Sequence, residues 1–182
     1  KTNSVTGYSL VELAVTLAFS AVLMTIAIPA YQSTWIQKYR LHITTNKLAA
    51  SAHTARIRAA ATNRPCVIAF DSQGWDVFID LPPYDNVFDL NGIDNTVGTA
   101  DDEIFIHHVD FPKGVSYYTA MGGGDGITFD TPENPSITFN PRGLSIDNSG
   151  IINDGTVFLQ NKSGVVEYVN VTGIGNITSA QI

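Results

Sequence analysis

The sequence predicts an α+β protein: a long N-terminal α-helix, apolar in its first half, packed on a head of mostly antiparallel β-sheet. Three observations predict it. From Leu13 to Ile28 the chain reads LAVTLAFSAVLMTIAI, without a charge. From Tyr31 to Thr62 it has neither glycine nor proline and is rich in Ala, Leu, Gln, Lys and Arg, all strong helix formers. After Asn63-Arg64-Pro65 the pattern changes to short β-branched and aromatic runs separated by Gly, Pro, Asn and Asp. The organisation that follows is 1–7 as a short polar leader, 8–30 as a hydrophobic helix, 31–64 as an amphipathic helix and 65–182 as a β-rich head.

The span from Tyr8 to Ala30, at about 1.5 Å per residue, is long enough for a bilayer with roughly 30 Å of hydrocarbon. Glu12 is its one charge. A carboxylate in such a segment costs about 2.5–3.5 kcal/mol at the membrane centre and less near the interface, so it calls for a partner. The plainer reading is a signal anchor with an interfacial Glu. Pro29 removes a backbone donor and is expected to break or bend the helix. Beyond it, Ile36, Tyr39, Ile43, Ala50 and Ile57 form one apolar stripe by spacing. A run of alanines (Ala49, Ala50, Ala52, Ala55, Ala59, Ala60, Ala61) suits close packing on a sheet.

The 182 residues carry a net charge of −7, divided unevenly. Residues 1–65 hold seven Lys/Arg against Glu12, a balance of +6; residues 66–182 hold three against sixteen acids, a balance of −13. An acidic head is a poor match for nucleic acid, whose binding rests on phosphate neutralisation by Lys and Arg. Cys66 is the only cysteine, which excludes an intrachain disulfide, and its apolar run reads as a buried small side chain.

In the head, Val67–Phe70 and Trp75–Ile79 flank Asp71-Ser72-Gln73-Gly74 and predict a hairpin. Gly155–Gln160 and Val165–Val171 around Asn161-Lys162-Ser163-Gly164 predict a second. Ile104–Val109, Val115–Thr119, Ile127–Phe129, Ile137–Phe139 and Asn176–Thr178 read as further strands, and Met121–Gly126 as a flexible turn.

Gly7-Tyr8-Ser9-Leu10-Val11-Glu12-Leu13 resembles the class III signal of type IV pilins and type II secretion pseudopilins, with Gly before the cleavage point and Glu at the fifth mature position. Thr54–Ala60 and Asn63–Val67, then Ile137-Thr138-Phe139-Asn140-Pro141-Arg142-Gly143 and the last hairpin, resemble the GspH/FimT group of minor pseudopilins. The resemblance implies a structural subunit, not an enzyme. It implies that a prepilin peptidase cuts after Gly7 and methylates the amino terminus at Tyr8, and that the subunit is then held in the inner membrane with its head in the periplasm. An assembly platform is implied to draw it, with other pilin or pseudopilin subunits, into a helical filament. Glu12 is implied to pair with the N-terminal amine of a neighbour, and Pro29 to belong to the assembly helix. One branch of the group binds DNA through a basic C-terminal segment; here the last twenty residues carry only Glu167, so nucleic acid is not an expected partner.

Other chemistry is sparse. No cofactor is required by any motif. The loop Asp89–Glu103 alternates oxygen-bearing side chains with glycines; it reads as a solvated acidic loop or as a Ca²⁺ site with Asp89, Asn91, Asp94, Asp101 and Glu103 as ligands. His107 and His108 adjoin in a predicted strand, so their rings face opposite sides and do not form a compact pair. His42 and His53 fall on the helix. The sequence has no Gly-x-Ser-x-Gly elbow and no phosphate-binding glycine loop after a strand. The alternative function is an adhesin or ligand-binding module displayed on the filament, with specificity in 80–135; a membrane-tethered enzyme lacks a convergent catalytic set.

Overall fold

A computed structural model of the chain describes residues 9–81, 104–129, 135–147 and 149–182, with backbone alone for 29–33. It contains two compact units, Lys1–Ile36 and Gln37–Ile182. Helix α1, Leu10–Thr62, supplies the described part of the first and the opening of the second.

In the first unit the large apolar side chains from Leu10 to Ile28 are all exposed. The stretch Leu10–Ile28 has a mean hydropathy of 2.2 and is long and apolar enough to cross a membrane. Its hydroxyls satisfy themselves within the helix: Thr16 donates to the Glu12 and Leu13 carbonyls, Ser20 to Thr16, and Thr25 to Val22. None of these three hydroxyls therefore needs water as an acceptor. The backbone stays helical through Pro29, contrary to the expected break. One missing N–H and one displaced carbonyl do not end a helix of 53 residues with strong formers on both sides.

In the second unit α1 ends as its last residues dictate. Asn63 adopts a left-handed conformation, φ 54°, which Asn tolerates better than most residues. Arg64 N–H then reaches back to the Ala59 carbonyl at 3.3 Å, the Schellman closure of the last turn. Among the described residues nine strands follow: β1 Cys66–Phe70, β2 Gly74–Ile79, β3 Ile104–Asp110, β4 Val115–Tyr117, β5 Ser136–Phe139, β6 Ser145–Ile146, β7 Gly155–Asn161, β8 Val166–Val171 and β9 Ile177–Gln181. They form two antiparallel sheets, ordered β3-β2-β1-β5-β6 and β4-β7-β8-β9. Both predicted hairpins are present. β3 and β4 are neighbours in sequence but enter different sheets, and Ile127–Phe129 is no strand: Ile127 makes one isolated bridge to Val157.

The core lies between α1 and one face of each sheet. Helix residues Leu41, Leu48, Ala52, Ala55 and Ala59 pack with Ile68, Trp75, Val77, Phe139, Val157, Leu159 and Val169. The buried helical stripe is thus 41-48-52-55-59, whereas Tyr39, Ala50 and Ile57 of the predicted stripe are exposed. The alanine run expected to pack closely on a sheet does so at Ala52, Ala55 and Ala59, where small side chains let the helix approach, whereas the bulky stripe lies on another face.

Candidate functional site

Ser9 and Glu12 open α1. Ser9 Oγ accepts the Val11 N–H at 3.3 Å, and the Glu12 carboxylate accepts the Ser9 N–H at 3.0 Å. This is the reciprocal arrangement of a capping box, in which an N-cap Ser and a Glu three residues later each satisfy an orphan donor. The spacing Ser-x-x-Glu just before an apolar run is legible in the sequence, yet the predicted assembly role of Glu12 overshadowed it. The rest of that predicted site is only partly placed. Gly7 and Tyr8 lie outside the described residues, as do the Ca²⁺ candidates Asp89, Asn91, Asp94, Asp101 and Glu103; at Pro29 the backbone alone is described.

In the head, the helix exit is fastened by side chains of three kinds. Arg56 Nη1 donates to the Gly175 carbonyl at 2.8 Å. Its side chain runs past Gly143 and Gly175, both at positive φ, where a Cβ would meet the guanidinium stem. This explains why the Arg56 and Arg142-Gly143 segments belong to one pattern: they meet in space. Glu167, buried on β8, faces His42 of α1 at 3.5 Å, so the one charge near the C-terminus serves an internal contact.

The third fastening is polar and buried. Trp75 Nε1–H donates to Ser51 Oγ at 3.0 Å, and the same hydroxyl contacts His107 Nε2 at 2.9 Å. Burial pushes the pKa of His107 down, against the pull of Asp76. A Ser–His contact of this length invites a nucleophile–base reading, but the hydroxyl is buried at 4 % exposure and occupied by the indole. Among the described residues no carboxylate bonds the other imidazole nitrogen, so nothing orients the ring as a base. An open groove of about 610 Å³ runs beside it, lined by Lys47, Thr54, His107 and Asp110 among others.

His108 faces away from His107, as strand alternation requires. Its ring lies between Asp110 and Asp76, whose carboxylates hold its pKa above the usual range. Cys66 is fully buried, and desolvation raises its thiol to about 12, outweighing the nearby Arg58. The thiol is therefore a packing group rather than a nucleophile.

Comparison with known proteins adds the following. The family model for Type II transport protein GspH matches residues 44–175. Among curated proteins nothing matches. The minor pseudopilin EpsH from the Type 2 Secretion System of Vibrio cholerae is similar in structure, with a TM-score of 0.50 at 9 % identity, covering 78 % of this chain and 97 % of that one. The type IV minor pilin FimU of Pseudomonas aeruginosa aligns with a TM-score of 0.49 at 12 % identity, covering 80 % and 92 %.

Proposed function

The chain belongs to the Type II transport protein GspH family, and from that premise we propose that it is a minor pilin or pseudopilin: a structural subunit held in the inner membrane by α1, its head in the periplasm, and assembled through that helix into a filament. The observation that carries this reading is the stretch Leu10–Ile28, uncharged except for Glu12, with its few hydroxyls bonded within the helix and its large apolar side chains all exposed. An apolar surface of that extent calls for a covering, and its length fits a bilayer before assembly and the stems of neighbouring subunits afterwards. The names of the similar structures, a minor pseudopilin and a minor pilin, agree with this role. Prepilin peptidase, acting after Gly7 and on Tyr8, and an inner-membrane assembly platform are the partners it implies.

The test is incorporation of Glu12→Gln and Glu12→Ala subunits into filaments in cells that make the rest of the machinery. Both variants are expected to reach the membrane with folded heads and to be lost from sheared filaments. Normal incorporation of both would remove the assembly role of Glu12.

A further inference from the structure

On the outer face of the first sheet, β2 and β3 place Asp76 directly opposite His108. His108 Nδ1 stands 2.7 Å from Asp76 Oδ1, and its Nε2 stands 3.0 Å from Asp110 Oδ1. Asp71, in the turn between β1 and β2, brings a third carboxylate to the same place. One ligand atom each from Asp71, Asp76 and His108 lie within 4.8 Å of one another. Asp71 is held by its turn: Oδ1 accepts the N–H groups of Gln73 at 2.6 Å and Gly74 at 2.7 Å. Its second oxygen has no hydrogen bond among the described residues.

Two features separate this group from an ordinary solvated acidic patch. The first is charge. Three carboxylates lie around the ring, and among the described residues none of them is ion-paired with a Lys or Arg; the imidazole pairs with Asp76 and Asp110. Even a protonated His108 offsets one charge of three. The second is orientation. Asp110 sits on the Nε2 side and Asp76 on the Nδ1 side; with Nε2–H donated to Asp110, a metal ion at Nδ1 would displace the proton that Nδ1 shares with Asp76. Metal-binding imidazoles are held in this way, with a carboxylate behind the ring.

We propose that Asp71, Asp76 and His108 bind a divalent transition-metal ion of the Zn²⁺ class, with Asp110 positioning the imidazole. Zn²⁺ takes imidazole nitrogen and carboxylate oxygen at about 2.0–2.2 Å in a tetrahedron, which small side-chain rotations reach here, and water fills the fourth place. Ca²⁺ and Mg²⁺ prefer all-oxygen sets, so the imidazole selects against them. The ligands stand on the paired strands β2 and β3 and in the turn that leads from β1 into β2. An ion there ties the 71–74 turn to β3, the edge strand of its sheet.

The experiment is titration of the full chain in detergent, stripped with EDTA and dialysed, with Zn²⁺ alone, followed by calorimetry and thermal melting. One equivalent is expected to bind, with a melting midpoint that rises with Zn²⁺. His108→Ala and Asp76→Asn abolish saturable binding, and Asp110→Asn weakens it about 10–100-fold at unchanged stoichiometry. Asp89→Asn and Asp94→Asn leave it intact, which separates this site from the 89–103 loop. Absence of stoichiometric binding in the unaltered chain, or equal affinity in His108→Ala and Asp76→Asn, overturns the proposal. Should His108→Ala lose its native circular dichroism, Asp76→Asn and Asp110→Asn carry the decision.

Discussion

Replacing Ser51 by alanine tests how the helix is seated on the first sheet. Trp75 is fully buried, and its indole N–H has one acceptor, the Ser51 hydroxyl at 3.0 Å. Ser51→Ala leaves that N–H buried and unpaired, which costs about 1–3 kcal/mol. The β-carbon is retained, so little packing is lost. For a head of this size roughly 2–4 °C of melting temperature accompanies each kcal/mol, so a fall of about 2–12 °C is expected. The companion change Trp75→Phe removes the donor together with part of the ring. In the double variant the unpaired N–H no longer exists, so Ser51→Ala costs less in the Trp75→Phe background than alone. Urea titration of the four proteins in detergent, read by circular dichroism, measures the difference. A Ser51→Ala effect below about 0.5 kcal/mol, the size of an ordinary surface substitution, or strict additivity in the cycle, refutes the argument.

Other perturbations have equally definite outcomes. A Cβ on Gly175 would overlap the Gly143 carbonyl oxygen and lie 2.9 Å from Arg56 Nε, at φ +79°. Gly175→Ala is therefore expected to destabilise the head by about 1–3 kcal/mol in the same titration. Ala55 is fully buried against the sheets, and Ala55→Leu is expected to cost about 1–3 kcal/mol by overpacking, whereas Ile57→Ala, at 66 % exposure, changes stability little. Cys66, with its thiol pushed up to about 12, is expected to resist a thiol-specific reagent at pH 8 until the head is unfolded by denaturant.

What the sequence made legible divides along physical lines. The long helix and the two hairpins rest on local signals: uninterrupted helix formers, and the turn residues Asp71–Gly74 and Asn161–Gly164. These act over a few residues and survive tertiary context. The alanine run marks Ala52, Ala55 and Ala59 for close packing on a sheet, and all three are fully buried; the exposure of Tyr39 and Ile57 was not legible, because periodicity favours bulky residues. Nor was the partition of β3 and β4 into separate sheets, since strand pairing is a long-range choice. β6 is two residues long and carries no pattern of its own. The Asp76–His108 pairing depends on the register of β2 against β3, including the irregularity between Val77 and Phe78, and no spacing in the sequence encodes it.

Glu12 shows how one side chain answers to two levels of structure. A capping box needs only an acceptor at its third helical position, and glutamine serves as well as glutamate. Against a favourable helix-dipole interaction of about 0.3–1 kcal/mol stands the cost of a carboxylate at a membrane-embedded helix end, up to about 2.5–3.5 kcal/mol at the centre. Capping alone therefore gives no reason to carry a charge at this position; under the proposed assembly role, a cation supplied from outside the subunit would balance it. Glu12→Gln keeps the acceptor that Ser9 N–H needs and discards the charge, whereas Glu12→Ala discards both. If the charge is what assembly requires, the two variants fail alike; if the helix start is what matters, Glu12→Gln assembles and Glu12→Ala does not.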